Sequence, residues 1–366
     1  MRILFVASLA GIATANYWLH ALRHLGHQVH ACSDVASPDT DTVCAGLVDV
    51  AAVAHSASFT PELVLFVEGG TMRLFPVGLE RLDCPTAWYG IDTHMDYAKH
   101  LAIARVFDST FIAQQEYLER LRRDGIAQAY WIPLAYAPEL SPATPPARDL
   151  DVAYVGSMNA AVHPDRYGLL MALRERYPRH FIGAATPSQM AAIYSRAKLV
   201  FNRSVNNDLN MRYFEAMGCG AVLVTDPIRD NGVETLFEEG THYLTYRDRE
   251  ALLGIVDRLV NDETTRTRIA SAAQALVVEQ HTYVARVRDF LRLMTQQQRQ
   301  HAPEADAYFG AFFRMRLAGG LLYAVRLALE AGGYGRADRL TGRIARALLT
   351  LAMSLMRLID MRRARR

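Results

Sequence analysis

The densest group of chemically capable residues lies in 198–226, Lys-Leu-Val-Phe-Asn-Arg-Ser-Val-Asn-Asn-Asp-Leu-Asn-Met-Arg-Tyr-Phe-Glu-Ala-Met-Gly-Cys-Gly-Ala-Val-Leu-Val-Thr-Asp. An apolar run delivers the chain into a polar loop, and a helix is expected to begin near Asn210. Unpaired backbone N–H groups and the positive end of the helix dipole make such a start an anion site. Glu215 follows in the second turn, and Gly218-Cys219-Gly220 ends the helix before the next strand. A carboxylate beside an anion-binding helix start can accept hydrogen bonds from both hydroxyls of a ribose. The same residues also fit a capped helix with a solvent-facing Glu.

Three smaller constellations carry chemistry of their own. Asp92, His94 and Asp96 alternate after a strand end. A His beside a carboxylate can work as an acid–base pair. As metal ligands the three lack a fourth partner, and Asp92 also fits the N-cap of the next helix. Glu68 ends an apolar run ahead of Gly69-Gly70, as a cleft carboxylate or as ordinary turn chemistry. Gly11, between the first strand and the first helix, lines a cleft or makes a tight turn. No G-x-G-x-x-G follows it, so the dinucleotide fingerprint fails, and no Ser has the G-x-S-x-G context of a hydrolase nucleophile. No metal site is expected.

These residues need a framework to bring them together. In the first half the expected strands are 2–8, 29–32, 63–67, 86–90, 106–113 and 130–134, with helices over 13–25, 97–104 and 114–123. Gly26 fits the left-handed position that ends the first helix. Residues 137–149 hold four Pro in thirteen positions, which predicts an extended linker because proline fixes φ and removes a donor. The second half restarts the alternation with strands over 151–156, 180–183, 199–203, 221–226 and 242–246. Its helices are expected over 165–177, 188–197, 210–217, 233–239, 250–260, 264–280 and 283–298. Such alternation builds parallel sheets with helices on both faces. The expected fold class is α/β, with Rossmann-like domains over 1–136 and 150–298 facing a cleft and a helical extension over 299–366.

The segment Asn210-Met211-Arg212-Tyr213-Phe214-Glu215-Ala216-Met217-Gly218-Cys219-Gly220-Ala221 resembles the donor-site segment of GT-B glycosyltransferases, most closely the CgeB-like branch related to the family-4 retaining enzymes. Gly240-Thr241-His242-Tyr243-Leu244, Tyr246-Arg247-Asp248 and Glu279-Gln280-His281-Thr282-Tyr283 are similar to that branch as well. So are Ile91-Asp92-Thr93-His94, Phe107-Asp108 and Trp131-Ile132-Pro133-Leu134-Ala135, and the resemblance covers roughly residues 1–298.

The resemblance implies a nucleotide-sugar donor on the second domain and a hydroxyl acceptor on the first, with the late helices packing back toward the first. It implies sugar transfer with retention and without a metal or resident cofactor, the nucleotide-diphosphate sugar being a co-substrate. Glu215 would hold the ribose, and Asn210, Met211 and Arg212 would lie near the diphosphate or donor sugar. Arg166, Asn202 and Arg203 would complete the donor side, with Gly156 and Ser157 allowing close backbone approach. Asp92, His94 and Arg212 are the expected catalytic groups, and Gly11, Glu68, Asp92 and His94 the expected acceptor cleft. The family-4 pattern pairs two Glu eight positions apart, and the first falls at Asn207, next to Asp208. That departure leaves open a non-catalytic nucleotide-sugar binder or scaffold, and another GT-B enzyme such as a sugar-nucleotide epimerase.

Composition bounds these readings. The 366 residues are 51% apolar and 21% charged, which excludes a disordered chain and is ample for two cores. Four cysteines without a C-x-x-C pair suit a reducing compartment, and with no run of about 20 apolar residues the expected location is cytoplasmic. Residues 336–366 carry nine Arg and two Asp, a net +7, so the rest of the chain carries −5 and offers nucleic acid no basic field. Arg336, Arg339, Arg343, Arg346 and Arg357 alternate at helical spacing with Leu340, Ile344, Leu348, Leu351, Leu355 and Leu358. That pattern predicts an amphipathic helix for an anionic membrane surface or for self-association.

Overall fold

A computed structural model describes residues 1–295, apart from 12, 13, 69–73, 143 and 145. The extension over 299–366, with its basic amphipathic pattern, lies outside the described residues. The first lobe runs β1 (Arg2–Val6), α1 (Thr14–His24), β2 (Gln28–Ser33), β3 (Thr42–Val43), β4 (Gly46–Asp49), α2 (Val50–Ser56) and β5 (Leu63–Val67). It continues through β6 (Leu74–Val77), β7 (Thr86–Gly90), α3 (Tyr97–Ala104), β8 (Ser109–Ile112), α4 (Leu118–Arg123) and β9 (Ala129–Trp131). The second lobe runs β10 (Leu150–Val155), α5 (Pro164–Arg176), β11 (His180–Gly183), α6 (Pro187–Arg196), β12 (Ala197–Phe201), α7 (Met211–Gly218) and β13 (Val222–Thr225). It ends with α8 (Val233–Leu236), β14 (Tyr243–Thr245), α9 (Arg249–Asn261), α10 (Glu263–Gln280) and α11 (Tyr283–Met294).

The central strands are apolar on both faces, and β5 (Leu-Val-Leu-Phe-Val) is buried throughout, as a strand covered by helices on each side requires. The first sheet is parallel in the order β3-β2-β1-β5-β7-β8-β9, and the second in the order β11-β10-β12-β13-β14. Each order reverses beside its first strand, so the ligand crevice is expected outside the carboxyl ends there. A two-stranded pairing of β4 with β6 adds a small layer that the apolar pattern had not signalled, because both strands are four residues long.

Local chemistry sets several ends. Gly26, at φ 79°, closes α1 with its N–H to Arg23 O while His27 N donates to Leu22 O. Thr186 and Gln189 cap α6 reciprocally. The expected 114–123 helix divides into a turn of 3-10 helix at Gln115–Tyr117 and α4. The linker is not extended throughout, since Pro138–Leu140 forms a 3-10 turn.

The chain passes between lobes twice, and the two passages are bonded side by side. Tyr136 N donates to His281 O (2.9 Å) and Tyr283 N donates to Tyr136 O (3.0 Å). Beyond that stitch α11 returns to the first lobe. Tyr283 stacks on Tyr17 at 5.0 Å, and Phe290 meets Trp18 and Phe111 edge-on at 5.3 and 4.8 Å. One apolar core therefore continues from Phe5 and Leu65 through Tyr136, Phe214 and Tyr283 to Val200 and Leu223. No helix among the described residues is long and apolar enough to cross a membrane.

The last residue of α7, Gly218, touches this stitch. A Cβ there would lie 2.5 Å from the buried Tyr136 ring. Gly218→Ala is expected to cost about 1–3 kcal/mol through overpacking, read as a lower urea midpoint at unchanged m-value. An unchanged midpoint would show that the ring can move.

Candidate functional site

The carboxyl ends of β10 and β12 and the start of α7 meet on one side of the cleft. Gly156 and Ser157 leave β10 as a tight loop, in which a Cβ on Gly156 would lie 2.7 Å from Tyr154 Oη and 3.0 Å from Arg212 Nη2. Ser157 O accepts from Tyr154 Oη (3.3 Å) and from Arg166 Nη2 (3.5 Å). Arg166 is 8% exposed on the first turn of α5 and makes no ion pair among the described residues; burial, with Arg212 nearby, lowers its pKa. Arg203, after β12, is half-buried, and its nearest carboxylate is Asp165 at 4.0 Å. The structure thus sets the Arg166 guanidinium against the Gly156–Ser157 loop, while Arg203 lies by Asp165 and also acts on the Asp226 carboxylate.

Asn210 caps α7, its side chain accepting from Arg212 N (3.1 Å). This settles the capping half of the sequence reading. Two expected ligand groups are instead internal braces. Asn202 is fully buried: its Oδ1 accepts from Arg212 Nη1 (2.5 Å) and Asn210 Nδ2 (3.3 Å), and its Nδ2 donates to Thr225 Oγ1 (3.0 Å). Arg212 also donates to Val155 O (2.8 Å) and Tyr194 Oη (3.2 Å), so most of its guanidinium is spent on holding the β10 loop. Met211 reaches across the cleft, with Thr14 Oγ1 3.9 Å from its sulfur.

Glu215 is neither solvent-facing nor paired. It lies partly buried on α7, against a crevice of about 10 Å³ shared with Tyr17, Tyr136, Leu140, Met190 and Met211, and its carboxylate makes no hydrogen bond or ion pair among the described residues. Burial raises its pKa to about 7, and Arg212 only partly offsets this. A water-sized crevice cannot satisfy a carboxylate whose charged form prefers two or more donors.

The opposite wall belongs to the first lobe. Asp92 follows β7 at φ 61°, exposed in the cleft, and the surrounding protein together with the Glu68 carboxylate raises its pKa. It is not a helix cap: Asp96 caps α3 by accepting from Lys99 N (3.1 Å). His94 is 4% exposed, and its Nδ1 lacks a hydrogen bond and lies 3.9 Å from Asp208 Oδ1 of the second lobe. That Asp208 oxygen accepts from Gln114 Nε2 (3.0 Å), while Gln114 Oε1 accepts from Thr93 N (3.1 Å). Burial raises the Asp208 pKa, and it raises that of neighbouring Glu116 to about 7.

Glu68 is not a cleft acceptor. It is 1% exposed and accepts from Ile91 N (3.2 Å) and Lys99 Nζ (3.2 Å), with His100 Nε2 3.0 Å away. Burial alone would raise its pKa; His100 and Lys99 outweigh that and hold it low. Gly11 sits at φ 61° with nothing within 4 Å of a Cβ, so its backbone conformation rather than a close approach calls for glycine. Asn207, where the family-4 pattern has Glu, is exposed and clipped to Arg229 through both its side-chain atoms. Gln114, Glu116 and Asp208 are the cleft groups that spacing did not single out as site residues, since their partners lie in the other lobe or far along the chain.

Comparison with known proteins places the fold. Residues 142–292 match the family model described as glycosyl transferase-like. Anabaena HepE, solved in complex with UDP and glucose, superposes at TM-score 0.59 with 16% identity over 81% of this chain and 100% of that one. Sucrose-phosphate synthase from Thermosynechococcus elongatus gives 0.58 and 15% over 81% and 98%, and a glycosyltransferase from Rickettsia africae 0.58 and 12% over the same shares. No curated protein matches the sequence. The chain therefore has the GT-B fold, and its second lobe carries a glycosyl transferase-like domain.

Proposed function

We propose that the protein is a glycosyltransferase that moves a sugar from a nucleoside-diphosphate donor to a hydroxyl acceptor, with retention and without a metal. The observation that carries this reading is the unpaired Glu215 carboxylate together with Arg166, buried against the Gly156–Ser157 loop without an ion pair among the described residues, and Arg203, whose nearest carboxylate is 4.0 Å away. Glu215 accepts the ribose hydroxyls, and the two guanidinium groups and the helix start take the diphosphate charge as it departs. Arg212 is a positioning residue that holds the Gly156–Ser157 loop through Val155 O. Neighbouring HepE structures contain UDP and UDP-glucose, which supports a nucleotide-sugar donor for this fold. Asp92 and His94 of the first lobe and Asp208 of the second surround the place for an acceptor hydroxyl, His94 Nδ1 and the raised carboxyl of Asp208 being able to exchange its proton.

Glu215 provides the first test. Its folded pKa of about 7 lies above the ordinary carboxylate value of 4.5, so the folded state holds the proton more tightly than the unfolded chain. Stability from this group is complete below 4.5 and is lost as the pH rises through 7. Glu215→Gln is therefore expected to melt higher than the parent at pH 8, by about 1–3 kcal/mol in stability, and level with it near pH 4.5. The same variant should bind UDP, GDP or ADP about 10–100-fold more weakly at pH 8, where the parent's affinity exceeds that at pH 6. Undiminished affinity would remove Glu215 from the ribose site.

His94 tests the other wall. His94→Ala should leave nucleotide affinity within about twofold while slowing release of nucleotide from the sugar donor by about 100-fold. Equal rates would mean that His94 only packs.

A further inference from the structure

At the opposite edge of the second sheet, where β10 and β12 begin, lies a cavity of about 450 Å³. Its walls come from Arg148 ahead of β10, Lys198 on β12, Asn261 at the end of α9, and Arg266, Ser271 and Gln274 on α10. The volume lies within the range of small-molecule sites.

The charges here are poorly matched. Arg148 donates to three backbone carbonyls, Tyr194 O, Ala197 O and Cys219 O, and makes no ion pair among the described residues. Arg266 is 8% exposed, and among the described residues its side chain donates only to Leu259 O and Val260 O. Carbonyl groups satisfy the N–H donors but carry no net charge, and the one carboxylate seen to act on Arg266, Asp262, lies beyond ion-pair distance. Lys198 is paired with Asp151 (3.0 Å), but that carboxylate is shared with Arg179 at the same distance. The one carboxylate in the cavity wall, Glu263, is exposed to solvent. Burial, together with the nearby Arg266, pushes the Arg148 pKa down, as expected for a cation kept from both water and counter-ion. A phosphate group would form charge-assisted bonds to these guanidinium groups, and Asn261, Ser271 and Gln274 offer neutral partners for hydroxyls beside it.

The cavity also grips the far end of α7. Arg148 Nη2 donates to Cys219 O (3.1 Å) and Gln274 Nε2 donates to Gly218 O (3.0 Å). A Cβ on Gly220 would lie 2.6 Å from the same Arg148 nitrogen. An eight-residue helix is about 12 Å long, so a shift of its last carbonyls is felt at Asn210 and Glu215.

We propose that this cavity is a second ligand site, for a small phosphomonoester, and that its occupancy is transmitted along α7 to the cleft. The site stands apart from the donor reading; the transmission rests on it.

Glycerol 3-phosphate and inorganic phosphate, each against potassium chloride at equal ionic strength, test the proposal by melting the full-length protein. The ester is expected to raise Tm by about 2–5 °C. Thr267→Glu, which places a carboxylate in the mouth of the cavity on an exposed helical position, should abolish the rise, whereas Arg166→Gln in the cleft should keep it. No rise, or a rise that survives Thr267→Glu and is lost in Arg166→Gln, would overturn the site. An equal rise with inorganic phosphate would overturn the ester as its ligand. Saturating ester should change UDP affinity at least about threefold in the parent and not in Thr267→Glu; an unchanged affinity overturns the transmission. A protein that binds no nucleotide fails the donor reading, and the melting result still decides the cavity.

Discussion

The structure depends on the stitch between its two inter-lobe passages. Two backbone hydrogen bonds join Tyr136 to residues 281 and 283, and the Tyr136 ring closes over Gly218. Backbone bonds of this kind contribute about 1 kcal/mol each, so they direct the crossing rather than hold it. The next helix holds it: α11 buries Tyr283, Val287, Phe290 and Met294 against the first lobe. Fully buried side chains of this size contribute roughly 1.5–3 kcal/mol apiece. A helix late in the sequence thus becomes part of the first lobe, and the α7 start is brought opposite the end of β1. Met211 beside Thr14, and Glu215 beside Tyr17, are consequences of that anchoring.

Polar groups cross the cleft on a second track. Glu68, His100, Thr93, Gln114 and Asp208 form a bonded chain from the interior of the first lobe to a loop of the second. Its inner end is well satisfied, and Glu68 stays ionised there because Lys99 and His100 face it. Its outer end is not: His94 Nδ1 and Glu116 Oε2 are buried without hydrogen bonds, and Asp92, Asn206 and Asn207 hold positive φ. An unsatisfied buried group costs about 1–3 kcal/mol, and an αL non-glycine residue a similar amount. Such costs gathered at one place are what a ligand site tolerates, because the missing partner arrives with the ligand.

Much of the fold was legible because its signals are local. Apolar runs marked β1, β5, β7 and β10, Gly26 marked the end of α1, and Asn210 with Gly218-Cys219-Gly220 bracketed α7. The β3–β4–β6 region was missed because strands of two to four residues carry too few alternations to read. Site residues divided differently. Glu215 and Arg166 lie on helices at the cleft, while Asn202 and Glu68 have their polar atoms taken up by neighbouring side chains. Glu68 meets its partners 31 and 32 residues along the chain, and Asp208 meets Gln114 at a separation of 94, distances at which spacing holds no information. A polar residue at a strand end declares that it is needed there; only packing decides whether a ligand or a neighbouring side chain uses it.

Charge is unevenly spread across the cleft, and on the proposed reading that unevenness orients the donor. Arg166 stands by the Gly156–Ser157 loop and Arg203 follows β12, whereas Asp92 and Glu116 of the first lobe gather around Asp208, which a second-lobe loop brings across to Gln114. A diphosphate is attracted to the arginines and repelled by the acids, so on the proposed reading the sugar carbon it carries points toward the carboxylates. As the bond to the diphosphate lengthens, negative charge grows beside the arginines and positive charge grows on the sugar beside the acids. Both changes lower the energy of the separated charges more than that of the intact donor, which is the condition for an electrostatic contribution to rate. The raised pKa values of the acids limit that contribution at low pH, since a protonated carboxyl neither repels the diphosphate nor stabilises the cation.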